Sequence, residues 1–410
     1  MGCGCSNNQS LIFPPNSSRP PHAQSTIHID HTAKMHLDLF NNTYRFFNFK
    51  SKIPIDDSSN INILLYTLPY NSTGDSFVSL SKFKEEKAEC NNYKGSGDNL
   101  LISYNKGEKL NDLFNKDKFF VLIDGDFQVY CLIDGHGPFG DLIGQIVQDK
   151  LFIKLNKCYT NNFLNEYEEI FLDIFEDIQN AVVNNEVKLL DEYDSILSGL
   201  SVSLVVVKEN YIYTVNIGNV LAMIVHNDTT TVTKNEIDIL TIDDSDLYND
   251  NYEKENKRST EDYDIINIHG VFDMNDELRR IYESGGEVRQ IGGEEKGRIF
   301  VKGKYYPGVI NTRGIGDQIA GLIGVSHKPH ISKMKMEIEH FYYLFMCTDG
   351  VANCDDCERL ANLIVGSERS SYIFYTIEFT EVMNNILSIG RGKYSGPYLP
   401  DMTLILRRLM

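Results

Sequence analysis

One stretch of the chain, residues 119–140, reads FFVLIDGDFQVYCLIDGHGPFG and narrows what the rest can fold into. Two runs of β-branched and aromatic residues, 119–123 and 127–133, flank a turn at Asp124-Gly125-Asp126, the pattern of a hairpin whose second strand runs inward. That strand ends on Asp134-Gly135-His136-Gly137. An acid at the end of a buried strand, a glycine whose carbonyl can approach a ligand, and a histidine gather two oxygens and a proton donor within three residues. Hard divalent cations take such an oxygen set, and general acid catalysis takes the imidazole. A glycine-rich turn capping a strand would account for Asp-Gly alone; His136 and Gly137 point to function.

The 410 residues are 42% hydrophobic, enough for a substantial core in one large domain or two. A net charge of −19 with no stripe of lysine and arginine argues against nucleic acid and suits Mg²⁺, Mn²⁺ or Ca²⁺ better. Eight cysteines, two of them at positions 3 and 5, do not read as a secreted disulfide framework, so reduced intracellular thiols are expected. Cys354-Asp-Asp-Cys357 has metal-ligand spacing but no second pair or nearby histidine, and reads as incidental rather than as a zinc site. No apolar run is long enough to cross a bilayer, and no signal-peptide core follows Met1.

The start, Met1-Gly-Cys-Gly-Cys-Ser6, fits N-myristoylation of Gly2, with Cys3 and Cys5 placed for palmitoylation. One myristoyl chain holds a protein to a membrane only marginally, and a second acyl chain makes the attachment stable. This predicts residence on the cytosolic face of a membrane, plasma or internal. Residues 1–36 read as a flexible acylated tether rich in Asn, Ser and Pro. Residues 37–97 read as an extension whose packing stays open, with a strand candidate at 61–68, and the main domain is expected to begin near Asp98.

From there strands and helices alternate. A strand is expected at 100–104 and helices at 141–156 and 162–185. The second helix carries Leu164, Tyr167, Phe171, Ile174, Phe175, Ile178 and Val182 on one face, a core stripe. Three strands follow at 200–207, 211–215 and 221–225. The run 243–264, rich in Asp, Glu, Asn and Tyr, reads as a solvated insertion extending to about 275. A short helix over 275–284 ends at Gly285-Gly286. A strand at 341–347 runs into Asp349-Gly350, repeating the device at 134–135, and 402–406 closes the chain.

The pieces LIDGHGPFG, SGLSVSLVVV with VNIGN, ELRRIYESGGEV, PGVINTRGIGD, FMCTDG and PDMTLIL together resemble, in order and approximate spacing over residues 98–410, the type 2C family of metal-dependent serine/threonine phosphatases. The resemblance implies an α+β fold: a four-layer αββα sandwich of two antiparallel sheets flanked by helices, with metals in a cleft at one end. It also implies two Mg²⁺ or Mn²⁺ ions and a bridging water that attacks the phosphorus of a phosphoprotein substrate. Carried over residue by residue, Asp134 would bridge the ions, Gly135 would offer its carbonyl, His136 would be the acid and Asp349 would ligate one ion. Asp117 sits where the family orients a metal-bound water, and Asp317 ends the Arg-x-x-Gly-Asp motif.

The departures from the family pattern are as informative. Lys116 stands where an acid usually precedes Asp117, and an ammonium repels a cation. No arginine matches the one that grips the substrate phosphate, unless Lys106 or Lys109 serves as a point charge. Asn219 and Asn353 replace the two acids of a weak third metal. At the closing motif the ligand position is Pro400, and Asp401 points to the other face unless a bulge ahead of the strand turns it back. Three readings follow: a membrane-tethered pseudophosphatase or scaffold that binds a phosphoprotein or regulatory protein, a working phosphatase of reduced metal affinity, or an adaptor whose acidic insertion and tail bind. The first is preferred. Gly2→Ala is expected to move the protein from the membrane pellet to the soluble fraction on cell fractionation; retention in the pellet would rule out the acyl anchor.

Overall fold

In a computed structural model of the chain the described residues are 61–67, 77–81, 84–88, 92–94, 100–107, 115–158, 163–184, 195–228, 235–245, 263–267, 274–292, 296–337, 340–366, 377–393 and 399–409. The expected hairpin is present. Strands Lys118–Asp124 and Phe127–His136 pair antiparallel from Lys118↔Ile133 to Asp124↔Phe127, so Gly125 and Asp126 alone make the turn. A two-residue hairpin loop needs backbone at positive φ, and Gly125 supplies it at 61°.

This hairpin lies inside a nine-stranded sheet. Its strands run in the order His330–Lys335, Tyr211–Ile217, Gly199–Lys208, Phe127–His136, Lys118–Asp124, Ile61–Thr67, Phe77–Ser81 and Lys84–Ala88, with Ile315–Gly316 paired to Gly199–Lys208 at one end. A seven-stranded sheet runs Tyr263–Asn267, Asn235–Ile239, Leu221–Asp228, His340–Cys347, Met402–Arg408, Leu100–Asn105 and Asn92–Lys94. Both are antiparallel except where Asn235–Ile239 meets Tyr263–Asn267 in parallel. The sheet strands thus begin at Ile61, ahead of residue 98. Thr67 fixes this segment to the hairpin: its hydroxyl accepts the Phe119 amide at 3.3 Å, and its carbonyl accepts the Gln148 side chain at the same distance.

The layers follow from which face each strand buries. Alternate residues of one sheet (Phe119, Val121, Tyr130, Leu132, Val205) meet those of the other (Ile102, Tyr104, Ile224, Leu344, Ile405) in a central core. The opposite face of the first sheet packs against helices Gly140–Cys158 and Phe163–Val183. The predicted stripe is there, with Phe171, Ile174, Phe175, Ile178 and Val182 all buried. Helices Cys357–Gly366 and Ile377–Lys393 cover the second sheet through Leu360, Ile364, Ile386 and Leu387. Helix, sheet, sheet, helix is the αββα order that the resemblance implies. It also explains why Gly199–Lys208 reads as a nearly unbroken apolar run, since both of its faces are covered.

Of the acidic run 243–264 only the two ends fall among the described residues. Asp244 and Ser245 are fully buried and Tyr263–Asn267 is a strand, while 246–262 lie outside the described residues. A small third sheet, Gly286–Gln290, Gly297–Val301 and Pro307–Val309, packs with helix Met274–Glu283 around Ile281, Ile299, Ala320 and Ile323.

Glu277 ties this subdomain to the site. It is 3% exposed and is gripped by two guanidiniums: Arg280 donates at 2.8 and 2.6 Å, and Arg313 at 3.1 and 2.7 Å. Burial alone would raise its pKa, but the two arginines bring it down to about 2. Because the folded-state value is depressed, the stabilisation is present above the ordinary carboxylate range and is lost as pH falls toward 2. Glu277→Gln is therefore expected to lower unfolding stability by on the order of 3 kcal/mol at pH 7 in urea titrations, with the gap closing at acid pH. A loss below about 0.5 kcal/mol at pH 7 would contradict this account.

Candidate active site

The strand Phe127–His136 delivers Asp134 and His136 to one end of the sandwich, and the strand His340–Cys347 delivers Asp349 from the other sheet. The two carboxylate-bearing segments touch: the Asp349 amide donates to Asp134 Oδ2 at 3.3 Å. Gly135 is needed on structural as well as chemical grounds. A Cβ there would lie 2.5 Å from the Gly140 carbonyl oxygen and 2.9 Å from that of Lys116, so the turn after the strand could not close.

His136 is paired. Its Nε2 donates to Asp317 Oδ2 at 2.6 Å, with the imidazole side chain 37% exposed and the carboxylate 4%. Asp317 adopts the left-handed region at φ 45°, ψ 52°, held by its amide on the Ser198 carbonyl at 2.9 Å. The carboxylate fits because residue 199 is glycine, where a Cβ would come within 2.2 Å of Asp317 Oδ2. Burial lowers the His136 pKa, but Asp317's charge and hydrogen bond, helped by Asp349, outweigh it. Lys116 opposes them, and the net value lies above ordinary histidine. A general acid needs a proton to give, and this arrangement keeps one on the ring with the other nitrogen left to present it.

Asp117 is held between the two sheets. It is 1% exposed, and its Oδ2 accepts the hydroxyls of Thr348 at 3.0 Å and Thr403 at 2.7 Å. That bond set joins the entry of the first sheet to two strands of the second.

No family model matches the chain. Among similar proteins is a probable protein phosphatase 2C of Arabidopsis thaliana, 23% identical over 224 residues, which are 54% of this chain and 58% of that protein. The chain thus spans a little over half the length of this curated relative. A serine-threonine phosphatase 2C from Toxoplasma gondii aligns at TM-score 0.54 and 13% identity, covering 75% of this chain and 94% of that one. A sex-determining protein of C. elegans aligns at the same TM-score and 18% identity, covering 78% of this chain and 66% of that one. The chain has the protein phosphatase 2C fold.

That family in general depends on Mg²⁺ or Mn²⁺, so the donor set can be tested against two ions. Asp134, Gly135 and Asp349 are brought together. Asp401, the replacement ligand that a bulge would supply, has both oxygens engaged by backbone amides, Gly107 at 2.8 Å and Lys116 at 3.2 Å. Pro400 is buried and carries no donor. Asn219 accepts Ser201 at 2.9 Å and Asn311 at 3.2 Å, and donates to Asp349 Oδ2 at 3.4 Å; an amide here orients the carboxylate without adding charge. Asn353 closes the turn Asp349–Ala352, its amide on the Asp349 carbonyl at 2.9 Å. The Lys116 ammonium lies within electrostatic reach of His136. Among the described residues no group of three or more His, Cys, Asp or Glu side chains is placed to hold an ion. The residues present do not fit a pair of divalent ions.

Of the phosphate-gripping candidates, Lys106 is exposed beside the buried Gly107, and Lys109 lies outside the described residues, as do Gly2, Cys3 and Cys5. Cys354 is buried and donates to the Gly350 carbonyl at 2.9 Å, and burial pushes the Cys357 thiol up to about 11. The structure adds supports that sequence reasoning missed. Asp244 accepts the Gly218 amide at 2.7 Å and His330 Nε2 at 2.8 Å, fixing the loop that carries Asn219. Its signal was the apolar run Ile239-Leu240 with Ile242 just ahead, which predicts burial. Asn311, inside the PGVINTRGIGD motif, had no role until its contact with Asn219 appeared.

Asp317→Asn is expected to lower the His136 pKa, read by NMR titration of the ring, because burial then acts with less opposing charge. An unchanged midpoint would show that Asp317 does not set it.

Proposed function

We propose that this chain is a pseudophosphatase with the protein phosphatase 2C fold, held on the cytosolic face of a membrane by acyl chains on Gly2 and on Cys3 or Cys5. It acts there as a scaffold that binds a phosphoprotein or a regulatory protein. The observation that supports the loss of catalysis is at the closing motif: Pro400 stands in the ligand position, and both Asp401 oxygens accept backbone amides, from Gly107 and Lys116. Lys116 adds a positive charge within electrostatic reach of His136, and Asn219 substitutes a hydrogen bond for a charge. All these changes lower cation affinity in the same direction. The fold is retained because its ties are hydrogen bonds and packing, such as Asp117 with Thr348 and Thr403, and these do not need an ion.

A second reading, a phosphatase of reduced metal affinity, draws support from the His136–Asp317 pair. That pair keeps a protonated imidazole beside Asp134 and Asp349, an arrangement suited to protonating a leaving alkoxide.

The combined change Lys116→Glu and Pro400→Asp discriminates between them. If the site is otherwise intact, hydrolysis of a small aryl phosphate in Mn²⁺ is expected to rise roughly 10–100-fold. No gain in a folded double variant would show that the cleft differs from a catalytic one by more than its missing charges. Turnover by the unchanged chain that Asp134→Asn abolishes would overturn the pseudophosphatase reading.

A further inference from the structure

At the outer edge of the first sheet, where the buried Tyr213 and its neighbours Tyr167 and Tyr211 close the core, lies a side-chain cluster that the candidate site does not use. Lys333 lies on the edge strand His330–Lys335, opposite Tyr213 in register. Its Nζ is 4.2 Å from the ring centre of Tyr211, 5.1 Å from that of Tyr213 and 5.6 Å from that of Tyr167. Two of these rings come from the neighbouring strand Tyr211–Ile217 and the third from helix Phe163–Val183. Tyr167 and Tyr213 meet edge to face at 4.9 Å and 60°, and Tyr211 tilts against Tyr213 at 45°, so three rings from two layers converge on one point.

A lysine that merely covers an apolar edge lays its methylenes there and turns its ammonium to water. Here the ammonium is the part that the rings approach. The surroundings favour positive charge: Tyr167 donates to Glu168 at 2.9 Å, and Glu209 lies close enough to act on Tyr213. Burial and the neighbouring Tyr167, Glu209 and Tyr211 push the Tyr213 phenol up to about 12, and burial with Glu168 raises Tyr167 as well. Tyr167 and Tyr213 are thereby held neutral, and the three rings turn π surface toward the ammonium. Aromatic rings with an acidic rim are the chemistry that recognises weakly hydrated ammonium groups, quaternary ones above all.

We propose that Tyr167, Tyr211 and Tyr213 form a receptor for a quaternary ammonium group of the choline type, filled in the resting chain by the protein's own Lys333. An incoming group competes with the lysine, whose side chain is exposed and free to swing out to water.

The test is calorimetric titration of the full chain, carrying Gly2→Ala to remove the acyl anchor, with choline chloride at constant ionic strength. The unchanged cage binds saturably, and Lys333→Ala binds about tenfold more tightly because the competitor is gone. Lys333→Gln, which keeps most of the stem without the charge, is a second variant in case the alanine perturbs the edge. Tyr211→Leu added to either removes the gain while circular dichroism stays unchanged. Sedimentation with phosphatidylcholine vesicles, beside free choline, separates a lipid headgroup from a soluble ligand. No saturable choline binding to any of these chains, or binding indifferent to Tyr211→Leu, would overturn the proposal.

Discussion

One carboxylate holds the two sheets in register where they open into the cleft. Asp117 stands at the start of the strand Lys118–Asp124 in the first sheet, and its Oδ2 takes the Thr348 and Thr403 hydroxyls from the second. Those threonines are also locked to each other, Thr403 N–H to Thr348 Oγ1 and Thr348 N–H to the Thr403 carbonyl, both at 3.0 Å. Removing a partner from such a buried set leaves polar groups unsatisfied at about 1–3 kcal/mol each, so the arrangement resists change. Asp349 follows Thr348 directly, and the Asp349 amide on Asp134 is the next bond along. The positions of both retained acids therefore depend on a staple that owes nothing to a bound ion.

On the proposed reading, the same end of the molecule is a cleft that has lost ligands without collapsing. Asp401 accepts two backbone amides, those of Gly107 and Lys116. Asn219 ties Ser201, Asn311 and Asp349 together without charge. In a site built to attract divalent ions, carboxylates repel one another until the ions arrive. Replacing some of them by amides and placing the Lys116 ammonium nearby relieves that repulsion permanently. Under the proposed function this leaves a cleft stable by itself, as a binding surface requires.

Much of this was legible in the sequence because it is local. Alternating and continuous apolar runs marked the strands, the three-and-four spacing from Tyr167 to Val182 marked a core helix, and Asp-Gly after two buried strands marked the cleft. What stayed hidden is long-range. The role of Asp117 depends on residues more than 230 positions away, and that of Asp401 on an amide 294 positions earlier. Asp244 lies at the head of a polar run whose composition says solvent, yet a single residue can turn inward when Gly218 and His330 await it. Residues 61–67, 77–81 and 84–88 join the sheet through backbone bonds, which composition does not encode.

Under the proposed function the cleft no longer assembles a two-ion centre. Calorimetric titration of the full chain with Mn²⁺, beside a phosphopeptide hydrolysis assay and with Asp134→Asn as control, addresses it most directly. One ion or none is expected, with no turnover above the control. Two ions bound, with turnover that the control abolishes, would contradict it.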